Sequence, residues 1–147
     1  MSTDSWSTAT AVLRLASQLV DGIQQGLAER GFTDVRPVHG FAFARLSGAP
    51  ATTAQLAEHL GITKQATSEL VQYLVEHGYL ARTPDPNDRR ARLLVLTNRG
   101  HACTQAAQQA AAHTVDGWGQ RLTPKQRDEL HAALAAIAKP GRLRPVW

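Results

Sequence analysis

Between Arg82 and Arg99 the chain carries five arginines, Arg82, Arg89, Arg90, Arg92 and Arg99, against two acids, Asp85 and Asp88. Guanidinium groups form charge-assisted, often bidentate hydrogen bonds with phosphate oxygens, and at the tip of a hairpin they can enter a minor groove and read its width and negative potential. Asp88, two residues before Arg90, is placed to brace that arginine by a charge-assisted hydrogen bond. A charged turn is usually just solvated. Three arginines within four positions, Arg89, Arg90 and Arg92, weigh against that reading here.

A second set lies just upstream: Thr63, Lys64, Gln65, Ser68, Glu69 and Gln72. At 100° per residue, Gln65, Ser68, Glu69 and Gln72 point to one side of a helix and Lys64 to its exposed N-terminal corner, with Ala66, Leu70 and Leu74 stacked opposite. An amide can pair with an adenine edge, a carboxylate can accept from cytosine N4, and a hydroxyl or ammonium can serve base or phosphate. Any solvated helix has a polar face; the neighbouring arginines are what give this one a reading.

This is recognition chemistry without bond-making. No Gly-rich phosphate loop, Gly-x-Ser-x-Gly elbow or carboxylate pair suited to acid-base work is present, so no enzymatic activity and no cofactor are expected. The six histidines include no pair at i,i+3 or i,i+4, which disfavours a local metal site. A site assembled from His39, His101 and Cys103 is conceivable but is set aside, as single histidines are more often structural. Cys103 is the only cysteine, which excludes an internal disulfide, and reads as a small buried apolar residue.

The elements that must position these groups are mostly helical, since the 147-residue chain is Ala-rich with only 5% aromatics, and 43% hydrophobic content suffices for one core. Val12, Leu15, Leu19, Ile23 and Leu27 form one stripe of a long helix over Ser7 to Arg30, ended by Gly31. A second helical pattern covers Phe41 to Leu46 after Pro37. Thr52 with Gln55 forms a capping box for a third helix, whose inner face is Leu56, Ala57 and Leu60. Gly61 then turns the chain, Ile62 reads as an apolar plug, and Thr63 caps a fourth helix to about His77. Tyr79 to Thr83 and Ala91 to Leu96 read as strands about a tip from Pro84 to Arg89. Thr97 caps a helix to about Val115, broken by Gly117 and Gly119. Thr123, Pro124 and Gln126 open the last helix, with Leu130, Leu134 and Ile137 as its seam. Two short helices and a hairpin make a winged helix-turn-helix, whose second helix fits a major groove about 12 Å wide.

The run Asp85-Pro86-Asn87-Asp88-Arg89-Arg90-Ala91-Arg92-Leu93-Leu94-Val95-Leu96-Thr97-Asn98-Arg99-Gly100 resembles the wing signature of the MarR family of bacterial regulators, an Asp-x-Arg followed by Leu-x-Leu-Thr-x-x-Gly. Leu56 to Gln65 and Leu74 to Leu80 resemble that family's DNA-reading helices. The likeness is specific from about Leu46 to Gly100 and extends to the flanking helices only by pattern. It implies a mainly α fold with a small β-hairpin, in which a winged helix-turn-helix lobe, about 46–100, is flanked by dimerisation helices in 7–45 and 101–147 of a single domain.

The resemblance further implies a homodimer on a pseudopalindromic operator in double-stranded DNA, with Asp88 and Arg90 as the braced minor-groove pair and Lys64, Gln65 and Ser68 in the major groove. Dimerisation is also expected because the apolar stripes of the first and last helices exceed what one winged lobe can cover. Many such regulators are repressors released by a small aromatic effector, for which Trp6, His39, Phe41 and Phe43 are the candidate pocket residues, although aromatic side chains at a helix junction are more often core. Some relatives sense peroxide through a cysteine near the start of the first helix, where this chain has none. With no membrane span and no signal peptide in the residues given, a cytoplasmic protein is expected. Two other readings stay open: a winged-helix protein-interaction module, and a ligand-binding protein without a DNA function. A second basic cluster, Lys139, Arg142 and Arg144, lies near the C-terminus, followed by Trp147.

Overall fold

The computed structural model describes residues 2–141, and side chains from residue 4 onward. These residues form two compact units. One comprises 2–33 and Ala106–Pro140, the other Asp34–Gln105.

The first unit is built on helix α1 (Ser2–Glu29), the C-terminal part of α5 (Asn98–Gly117), a 3-10 turn (Trp118–Gln120) and α6 (Pro124–Ile137). Helices α1 and α5 approach closely because α1 presents glycines: a Cβ on Gly26 would lie 2.4 Å from the Ala110 methyl, and one on Gly22 2.4 Å from Thr114 Oγ1. Leu27 is buried there and Leu15, Leu19 and Ile23 are half-buried, as the stripe predicts. The same stripe opens toward the N-terminus, where Val12 is 53% exposed and its neighbour Leu13 68%. Helix α6 begins as expected, with Thr123 Oγ1 accepting from the Gln126 N–H and Gln126 Oε1 accepting from the Thr123 N–H. Its seam is open too, since Leu134 is 42% and Ile137 76% exposed. Helix α5 runs through Gly117, two residues past the expected stop.

The second unit holds α2 (Pro37–Gly48), α3 (Thr53–Leu60), α4 (Lys64–Glu76), strands β1 (Leu80–Asp85) and β2 (Asp88–Leu96), and the start of α5. Helix α2 is a full turn longer at its start than the apolar pattern suggests. Pro37 supplies a preset φ at the first position, and His39 Nδ1 accepts the Arg36 N–H at 2.9 Å, a capping contact read as neither Ser nor Thr. The strands pair antiparallel from Leu80 opposite Leu96 to Pro84 opposite Arg92, and Ala51 adds a bridge to Leu94. The core is made by Phe43, Leu46, Leu56, Leu60, Val71, Leu74, Tyr79, Leu80 and Leu94, all at least 95% buried. At ~1.5 to 3 kcal/mol for each large side chain, this cluster sets where α3 and α4 lie against the hairpin.

Two expectations need correction. Ile62 is 36% exposed and plugs nothing. The inner face of α4 is Thr67, Val71 and Leu74, with Leu70 half-buried and Ala66 exposed, so it is turned by one residue from the pattern read in the sequence. Thr67 can be fully buried because its hydroxyl donates to the Thr63 carbonyl at 2.9 Å, which satisfies the polar group within the helix.

Candidate nucleic-acid interface

The face that remains outside α4 follows from that packing. Lys64, Gln65, Ser68, Glu69, Gln72 and Glu76 are all exposed. Gln65, Ser68, Glu69, Gln72 and Glu76 share an arc of about 100°. Gly61 sets the entry to this helix: at φ 70° it adopts the left-handed conformation, and its N–H donates to the Ala57 carbonyl at 2.9 Å, ending α3. Thr63 Oγ1 then accepts the Ala66 N–H at 3.1 Å. The helix N-terminus, with its partial positive charge and Lys64 beside it, is exposed and suited to an anion such as phosphate.

The hairpin tip is tighter than the sequence suggests. Both strands extend into the expected loop and leave only Pro86 and Asn87 between them. Asp85 Oδ1 accepts the Asn87 N–H at 2.9 Å and Asp88 Oδ1 accepts the Arg90 N–H at 2.9 Å, so the two acids shape the turn. Asp85 pairs with Asp88 and Pro84 with Arg92, which leaves Arg89, Arg90 and Ala91 as a bulge without partners across the ladder. Arg89, Arg90 and Arg92 are exposed. The expected brace is therefore corrected: Asp88 holds the backbone of Arg90, and among the described residues no ion pair joins their side chains.

The same compact unit holds a polar cluster that the sequence reading did not single out. Tyr79 donates from its hydroxyl to Asp34 Oδ1, Arg99 Nη2 donates to Tyr79 Oη at 2.9 Å, and Arg99 pairs with Asp34 Oδ2 at 3.5 Å. The Tyr79 hydrogen bond, aided by Arg99, holds the Asp34 carboxyl below the usual range. Burial, reinforced by Asp34, pushes the Tyr79 phenol up. Tyr73 donates to the Asp34 carbonyl at 2.5 Å and stacks on His77 and His39, at ring-centroid separations of 3.9 and 5.0 Å. The only signals for this cluster were single aromatic and charged residues far apart in the chain.

The four effector candidates are placed differently from one another. His39 and Phe43 are 1% and 2% exposed, part of the core of the second unit and not the lining of an open crevice. Phe43 packs on the Tyr79 ring at 5.6 Å. Burial, with the Arg36 charge, drives the His39 pKa down to about 4, so this ring is neutral and structural. Phe41 is half-buried, and Trp6, on α1 of the first unit, is 73% exposed. Among the described residues no group of three or more His, Cys, Asp or Glu is placed to hold a metal ion. Cys103 is buried, and burial raises its thiol pKa to about 11. Arg142, Arg144 and Trp147 lie outside the described residues.

A model of the MarR family matches residues 31–91, which run from the end of α1 through both helices of the helix-turn-helix to the bulge of the hairpin. Over these residues the chain is similar to the MarR family. Among curated proteins it is similar to the uncharacterized HTH-type transcriptional regulator YwhA of Bacillus subtilis, with 23% identity over 60% of this chain. The match spans 63% of that relative's length. Among solved structures it resembles RV1404 from Mycobacterium tuberculosis, at 25% identity and a TM-score of 0.74, covering 95% of this chain and 97% of the other. It also resembles a cysteine-to-serine mutant of MarR from E. coli complexed with operator DNA, at 20% identity and a TM-score of 0.67, covering 89% and 93%. The latter likeness is one of fold. The chain, mostly helical with one two-stranded hairpin, shares the winged-helix architecture of these solved structures. The family is one of transcriptional regulators, not of enzymes.

Proposed function

We propose that this protein is a sequence-specific, double-stranded-DNA-binding transcriptional regulator that acts as a homodimer on a pseudopalindromic operator. One observation carries the reading: the exposed polar face of α4 stands in the same compact unit as a hairpin whose bulge bears Arg89, Arg90 and, just beyond it, Arg92. Lys64, Gln65, Ser68 and Glu69 have the groups to contact bases and phosphates in a major groove, with the N-terminus of α4 capped by Thr63. The wing arginines, their backbone shaped by Asp88, suit the adjacent minor groove. That a relative's structure holds operator DNA and that the curated relative is an HTH-type regulator support the same reading.

Homodimerisation is supported by the apolar side chains left open on α1 and α6, of which Leu13 and Ile137 are the most exposed aliphatic ones. A two-fold dimer would read half-sites about 34 to 36 Å apart, one turn of DNA. Repression relieved by a small aromatic effector is the regulatory mode implied by the family resemblance, and a cytoplasmic location agrees with it. No described helix is long and apolar enough to cross a membrane.

Selection of bound sequences from a random duplex pool by the purified protein tests the proposal. An enriched inverted repeat is the expected result. Recovery of no preferred sequence, together with no salt-sensitive duplex binding, would leave the protein-interaction reading in its place.

A further inference from the structure

Gln72 lies in the C-terminal half of the outward face of α4, where the sequence pattern makes it a base reader, yet its amide is engaged within the protein at both ends. Its Oε1 accepts from Arg82 Nη2 at 3.1 Å, and its Nε2 donates to Glu76 Oε1 at 2.7 Å. All three side chains are exposed, so water competes for each contact. Exposed polar pairs contribute little to stability, so the interest of this chain of three lies in what it positions.

Along this face the helix carries two carboxylates, Glu69 just before its midpoint and Glu76 at its C-terminal end, which would repel phosphates that flank a major groove. Arg82, on β1, is the cation that reaches the C-terminal half of the face through Gln72. Gln72 lies eight positions after Lys64, so the guanidinium stands ~12 Å along the helix axis from the end where Lys64 is found. Lys64 and Arg82 thus put positive charge at the two ends of a face about as long as a major groove is wide. Arg82 is also nearer the base of the hairpin than the arginines of its bulge, so its target differs from theirs.

We infer that Arg82 is a DNA-backbone contact beside the C-terminal half of α4, and that Gln72 is a positioning residue that holds its guanidinium there instead of reading a base. This rests on the DNA-binding reading above. Arg82 then contributes affinity and salt sensitivity without sequence information, while Gln72 orients it and ties the stalk of the wing to the recognition helix. The carboxylate of Glu76, hydrogen-bonded to the Gln72 amide, fixes which end of that amide faces Arg82, because an amide nitrogen cannot accept from a guanidinium.

The test uses the full chain and the duplex that wild-type protein selects, titrated between about 50 and 200 mM salt, with R82Q, R82K and Q72A compared after thermal melts show that each is folded. R82Q is expected to lower the slope of log K against log salt by about 0.9, the value for one phosphate contact on B-DNA, while R82K keeps the slope. Q72A should weaken binding several-fold, add little further loss in the R82Q background, and enrich the same sequence as wild type from a random pool. An unchanged slope in folded R82Q overturns the inference. So does a Q72A selection that loses preference at one base pair of each half-site, because that is the behaviour of a base reader. Wild-type protein that binds no duplex overturns the DNA reading itself, and with it this one.

Discussion

The guanidinium carbon of Arg99 lies 4.5 Å from the ring centroid of Tyr79, while one of its nitrogens donates to the Tyr79 hydroxyl at 2.9 Å. The same hydroxyl donates to Asp34, 45 positions upstream, so Asp34 and Arg99 meet on one oxygen. Tyr79 is fully buried and its ring packs on Phe43, which ties this polar junction to the apolar core under α2. Replacing Tyr79 by Phe keeps the ring and removes the oxygen. The expected cost is about 1 to 2 kcal/mol in urea unfolding, because a hydrogen bond to a carboxylate is lost from a partly buried site. Asp34 would also lose the interaction that does most to depress its pKa, so its contribution to the fall in stability below pH 3.8 should shrink and the Y79F and wild-type curves should converge at low pH. Equal stability and an equally steep acid limb in Y79F would show the junction to be incidental.

His39 sets a second, separate pH dependence. Its folded pKa, about 4, lies below the unfolded value of 6.5, so between these two pH values the unfolded chain binds more protons at this site and stability must rise with pH. The contribution is fully present above pH 6.5 and is lost as pH falls through about 4. A displacement of this size is worth on the order of 3 kcal/mol. The carboxyl of Asp34, also depressed, acts lower, from its unfolded value of 3.8 downward. His39→Asn retains an acceptor for the Arg36 N–H but does not titrate. Thermal melts of H39N from pH 7 to pH 4 should be nearly flat where wild type declines; parallel curves for the two proteins would refute the assignment.

The elements were readable in the sequence where capping and turn chemistry spoke locally. Thr52 with Gln55 and Thr123 with Gln126 form the reciprocal boxes their spacing implies, and Thr63 caps α4. What was misread depends on polar groups that satisfy themselves. The pattern of Ala66, Leu70 and Leu74 omits Thr67, because a hydroxyl bond to the Thr63 carbonyl leaves no trace in a hydrophobic pattern, and the inner face is one residue out of phase with it. Asp88 beside arginines suggested an ion pair, but a carboxylate two residues before a backbone N–H closes a turn equally well, and in a tight hairpin the backbone donor is nearer. The Asp34, Tyr79 and Arg99 junction is non-local and leaves no periodic trace. Of the candidate site, the residue types and the face were legible, whereas the internal use of the Gln72 amide required coordinates.

The two threonines of α4 should separate cleanly under mutation. Thr63→Ala removes the oxygen that accepts the Ala66 N–H and is expected to cost about 1 kcal/mol. It should also loosen the first turn, which carries Lys64 and Gln65, and so weaken duplex binding more than stability alone accounts for. Thr67→Val replaces a buried hydroxyl, already bonded within the helix, by a methyl of similar volume, and should change stability by less than about 1 kcal/mol with DNA binding intact. Urea titrations and duplex binding measured on both variants check this, and a T67V loss exceeding that of T63A would reverse the assignment.

The wing and the helix are predicted to fail in different ways. Arg90→Ala should weaken duplex binding and lower the salt slope by about 0.9, with no change in preference at major-groove positions. Gln65→Ala should leave the slope intact and relax preference at one base pair of each half-site by about 1 to 3 kcal/mol. Binding curves on the selected operator and on single-base variants, at several salt concentrations, distinguish the two patterns. Identical salt slopes for wild type and R90A would remove the wing from the interface.

Ile137 and Leu13 test the dimer without touching the lobe that carries the DNA-reading face. Both lie in the first unit, at 76% and 68% exposure, and in a monomer a charged side chain at either place would be solvated at little cost. In an interface the same charge would be desolvated without a partner, at a cost of several kcal/mol per copy that two-fold symmetry doubles. I137E and L13E are therefore expected to shift sedimentation from dimer toward monomer at micromolar concentration. Their isolated lobes would still recognise one half-site, so binding to a full inverted repeat should fall by orders of magnitude while binding to a single half-site changes little. Dimers of undiminished stability in both variants would place the interface elsewhere on the chain.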